Sequence, residues 1–153
     1  MIVNTTRFGQ IEVSQEHVIL FPQGLIGFET CRHWVILPDG ANADIAWLQS
    51  ISQGQVALPI MSPRKLTVDY KVHVSRRQLT PIAIHTSDRV FIMTVISKTG
   101  RTLTTNLRSP LVINMTRRLA CQVVTDDAQP LALPLPLTTT ISPAVATGVR
   151  LAA

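Results

Sequence analysis

Short runs of apolar and β-branched residues recur along almost the whole chain, cut every few residues by Gly, Pro, Asn, Asp or Ser, and helical periodicity is nearly absent. That pattern describes many short strands. It predicts strands over residues 2–8, 11–13, 17–21, 34–37, 45–51, 56–61, 71–74, 81–85, 91–97, 102–107, 111–114 and 121–125. So many strands in 153 residues require a barrel or two packed sheets, and the length suits one compact domain. Gly9-Gln10 and Lys98-Thr99-Gly100-Arg101 read as hairpin turns, which makes antiparallel neighbours the expectation. Parallel pairing needs long crossover connections, and none is visible. The residues therefore predict an all-β single domain with mainly antiparallel neighbours, a barrel or two packed sheets, and at most one short helix.

That helix is expected near Ser75, where Ser75-Arg76-Arg77-Gln78 fits a capping box with Ser as N-cap and Gln at N3. Two arginines in its first turn oppose the helix dipole. After Asp127 the composition changes, with four prolines and a single charge, Arg150, in residues 128–153. Leu131, Leu133, Leu135 and Leu137 repeat with period two, so Pro134 and Pro136 fall on the other side, as an edge strand or polyproline-like arm allows. The division expected is a β-domain over 1–127 and a Pro/Leu-rich arm and tail over 128–153, with 138–153 a mobile tail.

With 46% hydrophobic and 15% charged residues, the chain has material for a core. Its longest unbroken apolar runs fall far short of the roughly 18 to 20 residues of a membrane helix. The N-terminus lacks the basic and apolar regions of an export signal. These features predict a cytoplasmic protein with no membrane partner. Cys31 and Cys121 are read as buried thiols.

Chemistry-bearing constellations are sparse. His17, His33, His73 and His85 are dispersed without metal-binding spacing. Cys31-Arg32-His33 places a thiol near an imidazole, but residues two apart on a strand share a face without being forced into contact. Asp126 and Asp127, adjacent on the chain, do not readily form a carboxylate dyad. Gly24-Leu25-Ile26-Gly27 lacks the third glycine and following helix of a dinucleotide site. No catalytic residue, metal or cofactor is assigned. Formal net charge is +5, and Arg64, Lys65, Lys71, Arg76, Arg77, Arg117 and Arg118 give an alternative reading, a basic barrel that binds RNA directly. Only seven aromatic residues are present to stack bases, so no direct nucleic-acid partner is expected.

Phe21-Pro22-Gln23-Gly24-Leu25-Ile26-Gly27-Phe28-Glu29 stands out as a shaped loop: Pro22 ends a strand, the glycines admit unusual backbone angles, and Leu25 and Phe28 return to the core. This run resembles the FPxGLxGF segment of the FliW family. Trp47-Leu48-Gln49-Ser50 is similar to the family's WLQS strand. Thr105-Asn106-Leu107-Arg108-Ser109-Pro110-Leu111-Val112-Ile113-Asn114, followed by Gln122-Val123-Val124, is similar to its NLxAPIxIN strand pair. The resemblance covers roughly residues 1–127. It implies an all-β, single-domain antiparallel β-barrel-like fold and a small bacterial flagellar assembly factor that binds the C-terminal region of flagellin and also CsrA, an RNA-binding repressor of flagellin translation. Flagellin occupancy would then set how much CsrA is free. The chain departs from the family pattern in its basic charge, at Leu58-Pro59, and in the leucine–proline arm. Partner contacts are expected at Gln23, Gly24, Leu25, Gly27, Tyr70, Arg76, Arg77, Asn106 and Arg108, with the protein a monomer or weak homo-oligomer; aromatic and Arg side chains dominate interface hot spots.

Overall fold

In the computed structural model the described residues are 1–136 and 138–141. A two-stranded hairpin comes first, β1 (Ile2–Thr5) and β2 (Gly9–Glu12). The remaining strands are β3 (Ile19–Leu20), β4 (His33–Pro38), β5 (Ile45–Ser50), β6 (Ala57–Met61), β7 (Val90–Thr99), β8 (Thr102–Thr105), β9 (Leu111–Asn114), β10 (Leu119–Gln122) and β11 (Leu133–Pro134). They join in the order β11-β8-β7-β6-β5-β4-β3-β10-β9, and a further pairing of β9 with β7 closes seven of them into a barrel. The long β7 makes both arrangements: residues 90–93 pair with β9, and residues 96–99 with β8.

Alternation decides what lies inside. Ile19, Phe21, Trp34, Leu48, Ile60, Leu111, Ile113 and Ala120 form the main core cluster. Their strand neighbours Val35, Leu37 and Trp47 face the other way and are covered by Val3, Phe8, Ile11 and Val13 of the β1–β2 hairpin. A strand that buries both faces reads as continuous apolar sequence, as residues 34–37 do.

Several expectations need correction. The first hairpin turns at residues 6–8 and not at Gly9-Gln10, because the Thr5 hydroxyl accepts from Phe8 N–H (2.9 Å) and donates to Gly9 C=O (2.8 Å), closing the turn early. Residues 71–74 and 81–85 form no ladder. Side chains hold the first of these instead: Asp127 Oδ2 accepts from His73 N–H (2.8 Å), and the Thr125 hydroxyl donates to His73 C=O (3.1 Å). One seam is parallel, Leu119 opposite Leu20, with Leu20 N–H donating to Arg118 C=O (3.0 Å). No crossover helix is required, because barrel closure itself brings these distant strands together.

The short helix α1 spans Arg76–Leu79, and the Ser75 hydroxyl caps it by accepting from Gln78 N–H. Only that half of the expected capping box forms. Gln78 instead spans to Val124, donating to its carbonyl (3.2 Å) and accepting from its N–H (2.8 Å). The leucine–proline arm adds β11 to the edge of β8. Leu135 N–H donates to Leu103 C=O, so the nitrogens of Pro134 and Pro136, on alternate positions, face away from the ladder. Leu135 is buried, Leu133 half-buried and Leu131 exposed. Leu137 and residues 142–153 of the expected tail lie outside the described residues.

Candidate functional site

The loop after β3 is built around a four-residue turn. Leu25 and Phe28 form an isolated β-bridge, with Phe28 N–H donating to Leu25 C=O at 2.8 Å. Ile26 and Gly27 occupy the tip, and Gly27 has φ +88°, the angle that the third position of a type II turn requires. Leu25 is 3% exposed and plugs the core, while Ile26 at the tip is 67% exposed. Glu29 Oε1 accepts from Gly27 N–H (3.0 Å), and that hydrogen bond holds the Glu29 carboxyl below its ordinary range.

Gln122, in β10, fixes this tip to the rest of the molecule. Its Oε1 accepts from Ile26 N–H (2.9 Å), and its Nε2 donates to Ser109 C=O (3.1 Å). The loop and the turn before β9, more than eighty residues apart, are thereby joined through one side chain. Beside the junction is a groove of about 410 Å³ bordered by Ile26, Phe28, Leu58, Asn106, Ser109 and Gln122. Asn106 supports its own turn, with Oδ1 accepting from Arg108 N–H (2.9 Å).

The expected contact residues separate into groups. Gln23 and Gly27 are exposed on the loop, and Asn106 is half-buried at the groove. Leu25 also borders the groove, but its side chain is core. Gly24 is buried, and a Cβ there would lie 2.6 Å from the backbone of Glu29. Arg76 and Arg77 are exposed on α1, away from the groove lining. Arg108 is exposed, and its Nε donates to Gln129 C=O.

Tyr70 is not an accessible contact. It is 2% exposed and donates its hydroxyl to Leu107 C=O at 2.6 Å, inside the fold. Burial, and secondarily the charge of Asp127, push that hydroxyl up to about 12. Two residues that line the groove, Ile26 and Gln122, are not among the expected contacts. The signal for Ile26 was an aliphatic residue between Leu25 and a turn glycine, where its side chain cannot also point inward. Nothing in the sequence marked Gln122 as the tie.

The Trp47-Leu48-Gln49-Ser50 strand serves the scaffold. Gln49 is fully buried, and its Nε2 donates to Ser50, Gly54 and Val56 carbonyls, binding the β5–β6 turn. Cys31 is buried in the main core cluster while His33 is exposed. Burial pushes the Cys121 thiol up to about 11. Among the described residues, no three His, Cys, Asp or Glu side chains are grouped to hold a metal ion. None of the described helices is long and apolar enough to cross a membrane.

Comparison with known proteins assigns the family. The family profile described as FliW protein matches residues 2–135. Flagellar assembly factor FliW of Bdellovibrio bacteriovorus is 35% identical over 129 residues, covering 83% of this chain and 74% of that protein. Its counterpart from Syntrophus aciditrophicus is 34% identical over 131 residues, covering 84% and 83%. A crystal structure of the flagellar assembly factor FliW superposes with a TM-score of 0.81 at 22% identity, covering 91% of this chain and all of that one. The match extends through β11, so the arm's first residues fall inside the family's extent. With the barrel, the three motif segments and these relatives in agreement, the chain belongs to the FliW family of flagellar assembly factors.

Proposed function

We propose that this flagellar assembly factor acts in the cytoplasm as a partner switch without enzymatic activity, binding flagellin and CsrA and thereby coupling flagellin supply to flagellin translation. The observation that supports this reading is the meeting of two of the three motif segments at one groove, with Gln122 bonded to both. An exposed aliphatic tip held on a hydrogen-bonded base offers an apolar anchor whose position is already ordered, which lowers the entropy cost of binding. Gln23, Gly27 and Asn106 would border the anchor. Arg108 lies on the same turn as Asn106 and would serve an acidic rim.

Isothermal titration with the source organism's flagellin and CsrA, separately and in competition, tests the proposal. Substituting Ile26→Asp, at an exposed position, is expected to weaken binding of at least one partner about tenfold, or about 1.4 kcal/mol. If the unaltered chain retains neither partner, the switch reading is lost. If both bind Ile26→Asp as tightly as before, the groove is not the contact surface.

A further inference from the structure

A second cleft, of about 530 Å³, lies on the outside of the barrel where Trp47, Ala57 and Pro59 of β5 and β6 are flanked by Arg7 of the β1–β2 turn and by the β7–β8 hairpin. Its chemistry differs from that of the loop groove. Ala57, Pro59, Ile96 and Leu103 provide an aliphatic floor, Arg7, Lys98 and Arg101 supply cations, and no carboxylate is among the described residues lining it.

Strand register explains this combination. Lys98 pairs with Leu103 across the β7–β8 ladder, and Ile96 stands two residues before Lys98 on β7. All three therefore share one face, which puts a cationic side chain next to apolar ones. Arg101 follows at the two-residue turn. Lys98 and Arg101 are exposed, and neither forms an ion pair among the described residues. The Arg7 guanidinium lies 4.0 Å from the centre of the Trp47 ring.

An aliphatic residue of this chain already lines one side of the cleft. Ile141 packs against both the Trp47 cluster and the cluster of Ile96 and Leu135, while Asn42 Nδ2 donates to the neighbouring Thr140 carbonyl (3.2 Å). An aliphatic side chain carried on a non-helical segment thus fits this surface. It brings no negative charge with it, since 138–141 reads Thr-Thr-Thr-Ile.

We propose that this cleft docks an acidic segment of a protein partner, with an aliphatic side chain on Pro59 and Leu103 and adjacent carboxylates on Lys98 and Arg101. Charge complementarity carries the assignment. A single-stranded nucleic acid would be drawn by the same cations, but it would also need aromatic faces for its bases. Trp47 is 3% exposed with Arg7 over its ring, and it is the sole aromatic among the described lining residues. The aliphatic floor suits leucine or isoleucine better than a ribose-phosphate chain.

Fluorescence anisotropy on the full chain tests this, using a labelled peptide rich in Glu and Leu, its Gln-for-Glu analogue, and an oligouridylate of matched charge. The Glu/Leu peptide is expected to bind, to weaken as salt is added, and to lose about tenfold in affinity when Lys98→Glu and Arg101→Glu are combined. Circular dichroism should show the same melting for the variant, because both side chains are exposed. Should charge reversal disturb the hairpin, the milder Lys98→Gln, Arg101→Gln pair must give the same direction of loss. Equal binding of the Gln analogue, or unchanged binding in both variant pairs, overturns the proposal. Tighter binding of the oligouridylate, lost with the same substitutions, also overturns it and assigns the cleft to phosphate chains.

Discussion

Tyr70 has the composition of an interface residue and the position of a core residue, because its ring is enclosed and its hydroxyl reaches the Leu107 carbonyl. Replacing it with Phe keeps the packing and leaves that buried carbonyl without its donor. A loss of about 1–3 kcal/mol in urea unfolding is expected. The same contact sets an alkaline limit on stability. With the folded hydroxyl at about 12 against an ordinary value of 10.0, the folded state keeps a proton that the unfolded state releases. Its stabilising contribution is therefore complete below pH 10 and lost as pH rises toward 12. Denaturation midpoints measured across that window should fall for the unaltered chain and fall less for Tyr70→Phe. Sequence cannot place such a residue inside or outside, since aromatic rings with polar tips serve both roles. Buried Gln49 presents the same difficulty: three carbonyls around one turn receive its amide, and their convergence exists only after the chain has folded.

At the scale of elements, the loop over residues 22–28 contains two glycines with different requirements. Gly24 has φ +68°, and an added Cβ would meet the Glu29 backbone at 2.6 Å; Gly27 has φ +88° with open space around it. Gly27→Ala should therefore cost only left-handed strain, about 1–2 kcal/mol. Gly24→Ala adds a clash with backbone and is expected to cost more, displacing Leu25 from the core. Urea titrations of the two variants check the order, and a larger loss at Gly27 would contradict it. The loop's shape was readable from its residue types, because glycine, proline and the apolar positions each restrict the backbone locally. Residues 71–74 and 81–85 misled for the complementary reason. Their alternation is that of strands, but whether a segment joins a ladder depends on an available edge, and here the Asp127 and Thr125 side chains take up the backbone of His73. The Ser75 cap formed as its local pattern requires, whereas Gln78 found a better partner in Val124 than in its own helix.

For the whole molecule, closure is the costly event. β3 must meet β10 and β7 must meet β9 before the main core is sealed, and Leu20 and Leu119 are separated by most of the chain. Loop-closure entropy precedes the reward of those contacts, which places all-β domains of this kind in the millisecond-to-second range. Stopped-flow refolding from urea, followed by Trp fluorescence, should fall there, and microsecond refolding would contradict the closure argument. Sequence by itself determined the class of fold, most of the strands, the glycine-shaped loop and the family, because alternation, turn chemistry and motif spacing act over a few residues at a time. Tertiary structure alone decided the parallel seam, the docking of the arm on β8, the burial of Tyr70, and the joining of Ile26 to Ser109 through Gln122. Each of those depends on which distant backbone groups are left unpaired once the barrel closes, and a buried polar group must then find whatever partner the closed shape brings within reach.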